Sequence, residues 1–245
     1  MIKKILVSQA QPQHEKSPYI DLAKKYSVDV DFRPFTEIKG VELKEFRKQK
    51  VNILDHSAVI MSGKTAVDHY FRLAEEMRLT IPITMKFFCV TESIAYYLQK
   101  YITYRKRKIF FADDFDDLLE IMNKHKNERF LLPVAKVHKP TIAKKLKKEG
   151  YQFDKVIMYE TVSADLSDLK DIFYDVIVFS SPAAVSSLFE NYPDFKQNGK
   201  IIASLGKTTA NAVKKAGLKL DINAPTKEYP SMTMAIEKFI KETNK

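Results

Sequence analysis

The chain reads as an α/β protein with two similar, doubly wound parallel-sheet domains, on three observations. A cassette is used twice: Val59-Ile60-Met61-Ser62-Gly63-Lys64-Thr65-Ala66-Val67 returns as Ile177-Val178-Phe179-Ser180-Ser181-Pro182-Ala183-Ala184-Val185. Each copy is a buried strand that ends in small hydroxyl residues and opens a helix. A second element follows in both halves at a nearly equal offset, where Cys89-Val90-Thr91-Glu92-Ser93-Ile94-Ala95-Tyr96-Tyr97-Leu98 matches Ser204-Leu205-Gly206-Lys207-Thr208-Thr209-Ala210-Asn211-Ala212-Val213. Strands also alternate with helices along the whole chain, the pattern of parallel sheets covered on both faces. The repeat is far too long for a solenoid. By itself it leaves open whether the domains are contiguous halves or exchanged pieces.

In chain order, Ile5-Leu6-Val7 is a short β run, and Ser17-Pro18 supplies a cap followed by proline at the first helical position, opening a helix through Tyr26. Val28 to Phe35 alternates apolar and polar residues and reads as an extended joining run, as does Val156 to Val162. Between them come a helix near Glu42 to Lys50, the first cassette, the Cys89 element, an acidic helix from Asp113 to Lys124 and a Lys-rich helix ending at Gly150. An amphipathic turn (Asp165 to Phe173), the second cassette, the Gly206 element and a terminal helix from Ser231 complete the chain. A weaker third match pairs Lys4-Ile5-Leu6-Val7 and Leu22 to Lys25 with Phe130-Leu131-Leu132-Pro133 and Lys145 to Lys148.

At 245 residues, with 45% hydrophobic content, the chain is long and apolar enough for two packed cores. No run reaches the ~20 apolar residues of a membrane span, and Met1 to Gln9 leaves its apolar stretch too soon for a signal peptide, so a cytoplasmic protein with no membrane partner is expected. The single cysteine, Cys89, lies in an apolar run and reads as a small buried hydrophobe. The histidines (His14, His56, His69, His125, His138) hold no pair at the i, i+4 spacing of a helical zinc site, so no metal is expected. A net charge of +10 and a pI near 9.3 imply an anionic partner or merely solubility, and charge alone names no partner. The basic runs at Tyr104 to Lys108 and Lys136 to Lys148 lack interleaved aromatics to stack bases and read as solvated faces.

Gly63-Lys64-Thr65 and Gly206-Lys207-Thr208 look like the end of a phosphate-binding loop. That motif needs a glycine five positions before its last one, and Ala58 and Ile201 stand there. No G-x-S-x-G elbow occurs either. What remains is simpler: a strand, a small turn and a helix start together aim unpaired N–H groups and about half a positive charge at one point, a ready anion site. Two such sites in one chain suggest one polyanionic ligand.

The run Val178 to Val185, followed by Leu205-Gly206-Lys207-Thr208-Thr209-Ala210, Gly217-Leu218 and the stretch Ala224-Pro225-Thr226 to Ser231-Met232, resembles the carboxyl-terminal signature of the uroporphyrinogen-III synthase family. With Ile5-Leu6-Val7 and Val156-Ile157-Met158-Tyr159-Glu160-Thr161 the likeness covers nearly the whole chain. It implies two α/β domains with exchanged segments, residues 1–36 with 163–245 and residues 37–162, joined by a two-stranded crossing at Phe32 to Ile38 and Ile157 to Val162. It also implies the reaction: closure of linear hydroxymethylbilane to uroporphyrinogen III with inversion of the last pyrrole ring, in heme biosynthesis, with no cofactor. The substrate carries eight carboxylates, which suits two helix-start sites. Gly63, Thr91, Ile94 and Val134 depart from the family's usual residues, all in the middle domain.

The resulting expectation is a monomeric lyase that binds the small molecule hydroxymethylbilane and no nucleic acid. Tyr159 is the candidate general acid, against the alternative that it only packs in the crossing strands. Ser8, Ser62, Thr65, Ser180, Ser181, Gly206, Lys207, Thr208 and Thr209 are the candidate substrate contacts, with Ser181 and Thr209 singled out for carboxylates, against helix capping alone. Two other classes stay open: a non-catalytic clamshell protein that binds small anions, and a nucleic-acid binder using the basic face.

Overall fold

The computed structural model describes residues 1–12 and 17–243, so His14 lies outside the described residues. The chain forms two compact units, one made of Met1–Glu37 with Val162–Lys245 and the other of Ile38–Thr161.

The first unit opens with β1 (Lys4–Val7), α1 (Pro18–Tyr26) and β2 (Asp29–Phe32). Ser17 caps α1 by accepting the Tyr19 N–H, and Pro18 stands where a helix needs no donor. The extended run read from Val28 to Phe35 holds a single strand, and a second follows it. β2 ends at Phe32, and β3 (Thr36–Gly40) begins after Pro34, which has no N–H to continue a ladder. β2 pairs in parallel with β1, Lys4 opposite Asp29 through Val7 opposite Phe32, so it belongs to the first sheet and is not a joining run.

The second unit then builds α2 (Leu43–Lys48), β4 (Ala58–Met61), α3 (Lys64–Glu76), β5 (Lys86–Cys89) and α4 (Glu92–Leu98). It continues with β6 (Ile109–Phe111), α5 (Phe115–Met122), β7 (Phe130–Ala135), α6 (Thr141–Lys148) and β8 (Phe153–Ser163). Its six strands lie in the order β3-β8-β7-β4-β5-β6. Alternate residues of the central strands feed two cores, as the pleat requires. Val59, Met61, Phe87 and Cys89 meet Val67, Tyr70 and Leu73 of α3, whereas Ala58, Ile60 and Phe88 meet Leu118 and Met122 of α5 and Leu146 of α6. Cys89 is fully buried, and burial pushes its thiol up to about 12, which leaves it inert.

The chain returns to the first unit for β9 (Val176–Phe179), α7 (Pro182–Asn191), β10 (Ile201–Leu205), α8 (Lys207–Lys215), β11 (Ile222–Ala224) and α9 (Met232–Thr243). The first sheet is wholly parallel, in the order β11-β10-β9-β1-β2. Ile5, Val7, Val176 and Val178 pack on Leu22 of α1 and Met232, Ile236 and Ile240 of α9. Leu6, Ile177 and Phe179 pack on Ala184, Val185 and Leu188 of α7 and Val213 of α8.

The repeats of the sequence land on equivalent strands. The two cassettes end β4 and β9, the second elements are β5 and β10, and the weak third match pairs β1 with β7. Read from one edge, β11-β10-β9-β1-β2 corresponds to β6-β5-β4-β7-β8, so one strand order is built twice with different chain entry points.

Candidate active site

In an open parallel sheet, ligands sit at the carboxyl ends of the strands where the winding reverses. In the first sheet that point lies between β1 and β9, whose next residues are Ser8 and Ser180. The Ser180 N–H donates to Ser8 Oγ (2.9 Å) and Ser180 Oγ donates to the Ser8 carbonyl (3.1 Å). The Oγ–Oγ contact of 3.1 Å is then left to the Ser8 proton. These two hydroxyls, both expected to touch substrate, bond each other and link the two strand ends.

The donors that remain belong to helix starts. Ser181 caps α7 by accepting the Ala184 N–H (3.2 Å), and Pro182 at the first position has no N–H, which leaves the Ala183 N–H as the first-turn donor that no cap takes. At α8 the capping position is Gly206, with φ +85° and ψ 157°, a conformation open essentially to glycine alone. Gly206 has no side chain to cap with, so the first N–H groups of α8 stay free, and Lys207 and Thr208 beside them are exposed. Thr209 is different. It is 1% exposed, so its side chain is buried in this structure, unlike those of Lys207 and Thr208.

In the second unit α3 starts the same way. Gly63 caps it without a side-chain bond, Ser62 precedes it, and its first turn carries Lys64 and Thr65 and no acid. Two other helix starts supply carboxylates of their own. α4 carries Glu92 in its first turn, and α5 has Asp114 accepting from the Asp116 and Asp117 N–H groups (2.7 and 3.0 Å). A helix that supplies its own carboxylate repels another. α6 and α9 also lack a first-turn acid but start farther from the strands before them, so among the helices that follow a strand directly α3, α7 and α8 are the ones without a carboxylate.

Tyr159 sits on β8, and its direction is unexpected. Val156 and Met158 face the core shared with α3, and Ile157 faces the opposite core, so strict alternation would turn Tyr159 to the side of Ile157. Instead Val134 pairs with Ile157 and Ala135 with Tyr159, which leaves Met158 as the extra residue of a bulge. Tyr159 therefore packs on the α3 side, where its ring stacks on His69 (5.3 Å between centroids, 17° between planes). Burial pushes its phenol above the ordinary tyrosine value, so the hydroxyl keeps its proton at neutral pH. Among the described residues no protein group bonds that hydroxyl.

His69 Nδ1 accepts from Arg72 Nε (3.1 Å), which assigns the ring proton to Nε2. Burial first, and then the Arg72 charge, push the His69 pKa down, so the ring is neutral. Arg72 Nη2 also donates to the carbonyls of Val41 (2.9 Å) and Met158 (3.4 Å). A Cβ on Gly40 would stand 2.7 Å from this guanidinium, so Gly40 makes room for it. Asp68, one turn before Arg72, accepts from the Tyr97 hydroxyl (2.8 and 3.0 Å) and the Tyr101 hydroxyl (2.6 Å), and the Lys64 ammonium lies 5.5 Å over the Tyr97 ring. The reading of the sequence missed Asp68, His69 and Arg72. Their signal was present as the polar stripe opposite Val67, Tyr70, Leu73 and Ala74 on a helix that follows the first cassette.

The family model for uroporphyrinogen-III synthase HemD matches residues 17–234 of this chain. The chain belongs to the uroporphyrinogen-III synthase family. Its members are cyclising lyases of heme biosynthesis, which close hydroxymethylbilane to uroporphyrinogen III. Among solved structures, the chain is similar to uroporphyrinogen-III synthetase from Helicobacter pylori 26695, with TM-score 0.61 and 18% identity over 98% of this chain and 100% of that one. It is also similar to a mutant uroporphyrinogen III synthase from the extremely thermophilic bacterium Thermus thermophilus, with TM-score 0.51 and 15% identity over 99% of both chains. At such identities the likeness is one of fold. No curated protein sequence matches the chain. No helix among the described residues is long and apolar enough to cross a membrane.

Proposed function

We propose that the chain closes hydroxymethylbilane to uroporphyrinogen III chiefly by positioning, with Tyr159 as the acid. The observation that carries this reading is the set of helix starts at strand ends, α3 in one unit and α7 and α8 in the other, that are free of carboxylates of their own. Each takes one or two substrate carboxylates on backbone N–H groups, with Lys64, Thr65, Lys207 and Thr208 beside them. A flexible chain held at several such points loses the freedom to close without inversion. The Tyr159 hydroxyl gives its proton to the terminal hydroxyl of the substrate, which leaves as water. The pyrrole bearing the freed methylene carries the positive charge until the already substituted α-carbon of the last ring bonds to that methylene. The bond from this carbon to its former methylene bridge then breaks, the ring turns over, and the charged bridge bonds to the ring's other α-carbon, whose proton is lost and can return to the phenolate. We take the working protein to be a cytoplasmic monomer that needs no nucleic acid.

Carboxylate recognition has a direct test. Uroporphyrin III, with eight carboxylates, should raise the melting temperature in a concentration-dependent way, because a ligand bound only by the folded state stabilises it by mass action. Coproporphyrin III has half the carboxylates and the same ring system, and should raise it far less. Equal shifts from both would mean that the macrocycle and not its carboxylates is recognised, and the helix-start reading would fall.

A further inference from the structure

We infer that Gln49 is a positioning residue that holds the β8 bulge and thereby aims Tyr159; the inference rests on the reading of Tyr159 as the acid. Gln49 follows α2 directly, and its side-chain amide grips a single residue of β8: Nε2 donates to the Ile157 carbonyl (2.8 Å) and Oε1 accepts the Ile157 N–H (2.8 Å). The amide thus stands in for a strand neighbour at the residue just before the bulge. The carbonyl of Met158, the extra residue, is in turn held by the Val41 N–H (3.0 Å) and by Arg72 Nη2 (3.4 Å).

The consequence follows from strand geometry. A strand's side chains alternate, so adding or removing one residue of register turns every later side chain to the other face. With the bulge, Ala135 faces Tyr159 and the phenol lies over His69 on the α3 side. Without it, Ala135 would pair with Met158, and Tyr159 would turn to the side of Ile157, on the core that contains α5 and α6. Nothing in the local sequence favours the bulge, since Val156, Ile157, Met158 and Tyr159 all suit a regular strand. The selection therefore comes from outside the strand, and Gln49 is the side chain that bonds both backbone groups of Ile157.

The test compares Gln49→Ala, Tyr159→Phe and the double variant, measuring ring closure and the Tyr159 ring resonance by NMR with labelled tyrosine, assigned by its loss in Tyr159→Phe. Gln49→Ala should shift that resonance, because stacking on His69 is altered. It should also lower kcat at least about tenfold with KM nearly unchanged, within the roughly 10²-fold that a 1 Å misplacement costs. The double variant should be no slower than Tyr159→Phe alone, as expected when one residue acts through the other. Gln49→Glu keeps the acceptor for the Ile157 N–H but sets a second acceptor against its carbonyl, and should show the same two changes. An unmoved resonance would overturn the inference, and so would a double variant slowed by the product of the single effects. If Tyr159→Phe turns over normally, the acid assignment fails; if Tyr159→Phe is slow and Gln49→Ala is not, only the role of Gln49 fails.

Discussion

Tyr159→Phe should slow ring closure by roughly 10²- to 10⁴-fold, the usual contribution of a positioned acid, while leaving the fold in place. The substitution removes one hydroxyl that bonds no described protein group and keeps the ring that stacks on His69. Loss of such a hydroxyl costs stability less than about 1 kcal/mol, so the melting temperature should barely move. The isomer III fraction should stay high, because the phenol assists departure of water and does not choose which carbon attacks. The pH profile adds a sign. Burial raises the Tyr159 pKa, so the protonated and active form persists above the ordinary phenol value, and wild-type activity should not fall through Tyr159 ionisation between neutral pH and that value. Steady-state rates, isomer separation and thermal melts on one preparation check all of this. A normal turnover number with a lowered melting temperature would assign Tyr159 to packing.

A fragment of residues 38–161 should fold alone, and a fragment of residues 1–120 should not. The first holds β4 to β7, part of β3 and nearly all of β8, with the helices that cover both faces of that sheet. The second keeps β1 without its neighbour β9, and β4 without its neighbour β7, so two sheets would each be cut at a central pairing and expose open edges. The lost burial is large. Leu131, Leu132 and Phe130 of β7 and Val176 to Phe179 of β9 are all 3% exposed or less, and fully burying such side chains contributes about 1.5–3 kcal/mol each. Circular dichroism with thermal melting separates the outcomes: a cooperative transition for 38–161 and none for 1–120. A cooperative 1–120 with an unfolded 38–161 would show that the folding units are contiguous halves.

Much of this was legible in the sequence because the signals were local. The doubled cassette marks β4 and β9 since a strand buried on both faces needs a continuous apolar run, and the small residues after it are what a tight strand-to-helix turn requires. Pro34 stood in plain view as the end of β2. The buried state of Thr209 was also readable, since Val213 lies one turn on and fixes that face of α8 as the inner one. What the sequence hid were pairings between distant residues. Ser8 and Ser180 lie far apart along the chain and meet only once β1 and β9 are neighbours. The bulge at Met158 leaves no mark in a run of bulky residues, yet it decides which way Tyr159 points. Asp68 finds Tyr97 and Tyr101 only after α3 and α4 are packed side by side.

The measurement that bears most directly on the central claim is product analysis. The purified chain is mixed with enzymatically made hydroxymethylbilane in the presence of a metal chelator, and the cyclised products are oxidised and separated into isomers I and III. Isomer III should dominate, at a rate well above spontaneous closure and unaffected by the chelator, because positioning and a phenolic proton need no metal. Isomer I alone, formed at the spontaneous rate, would contradict the account.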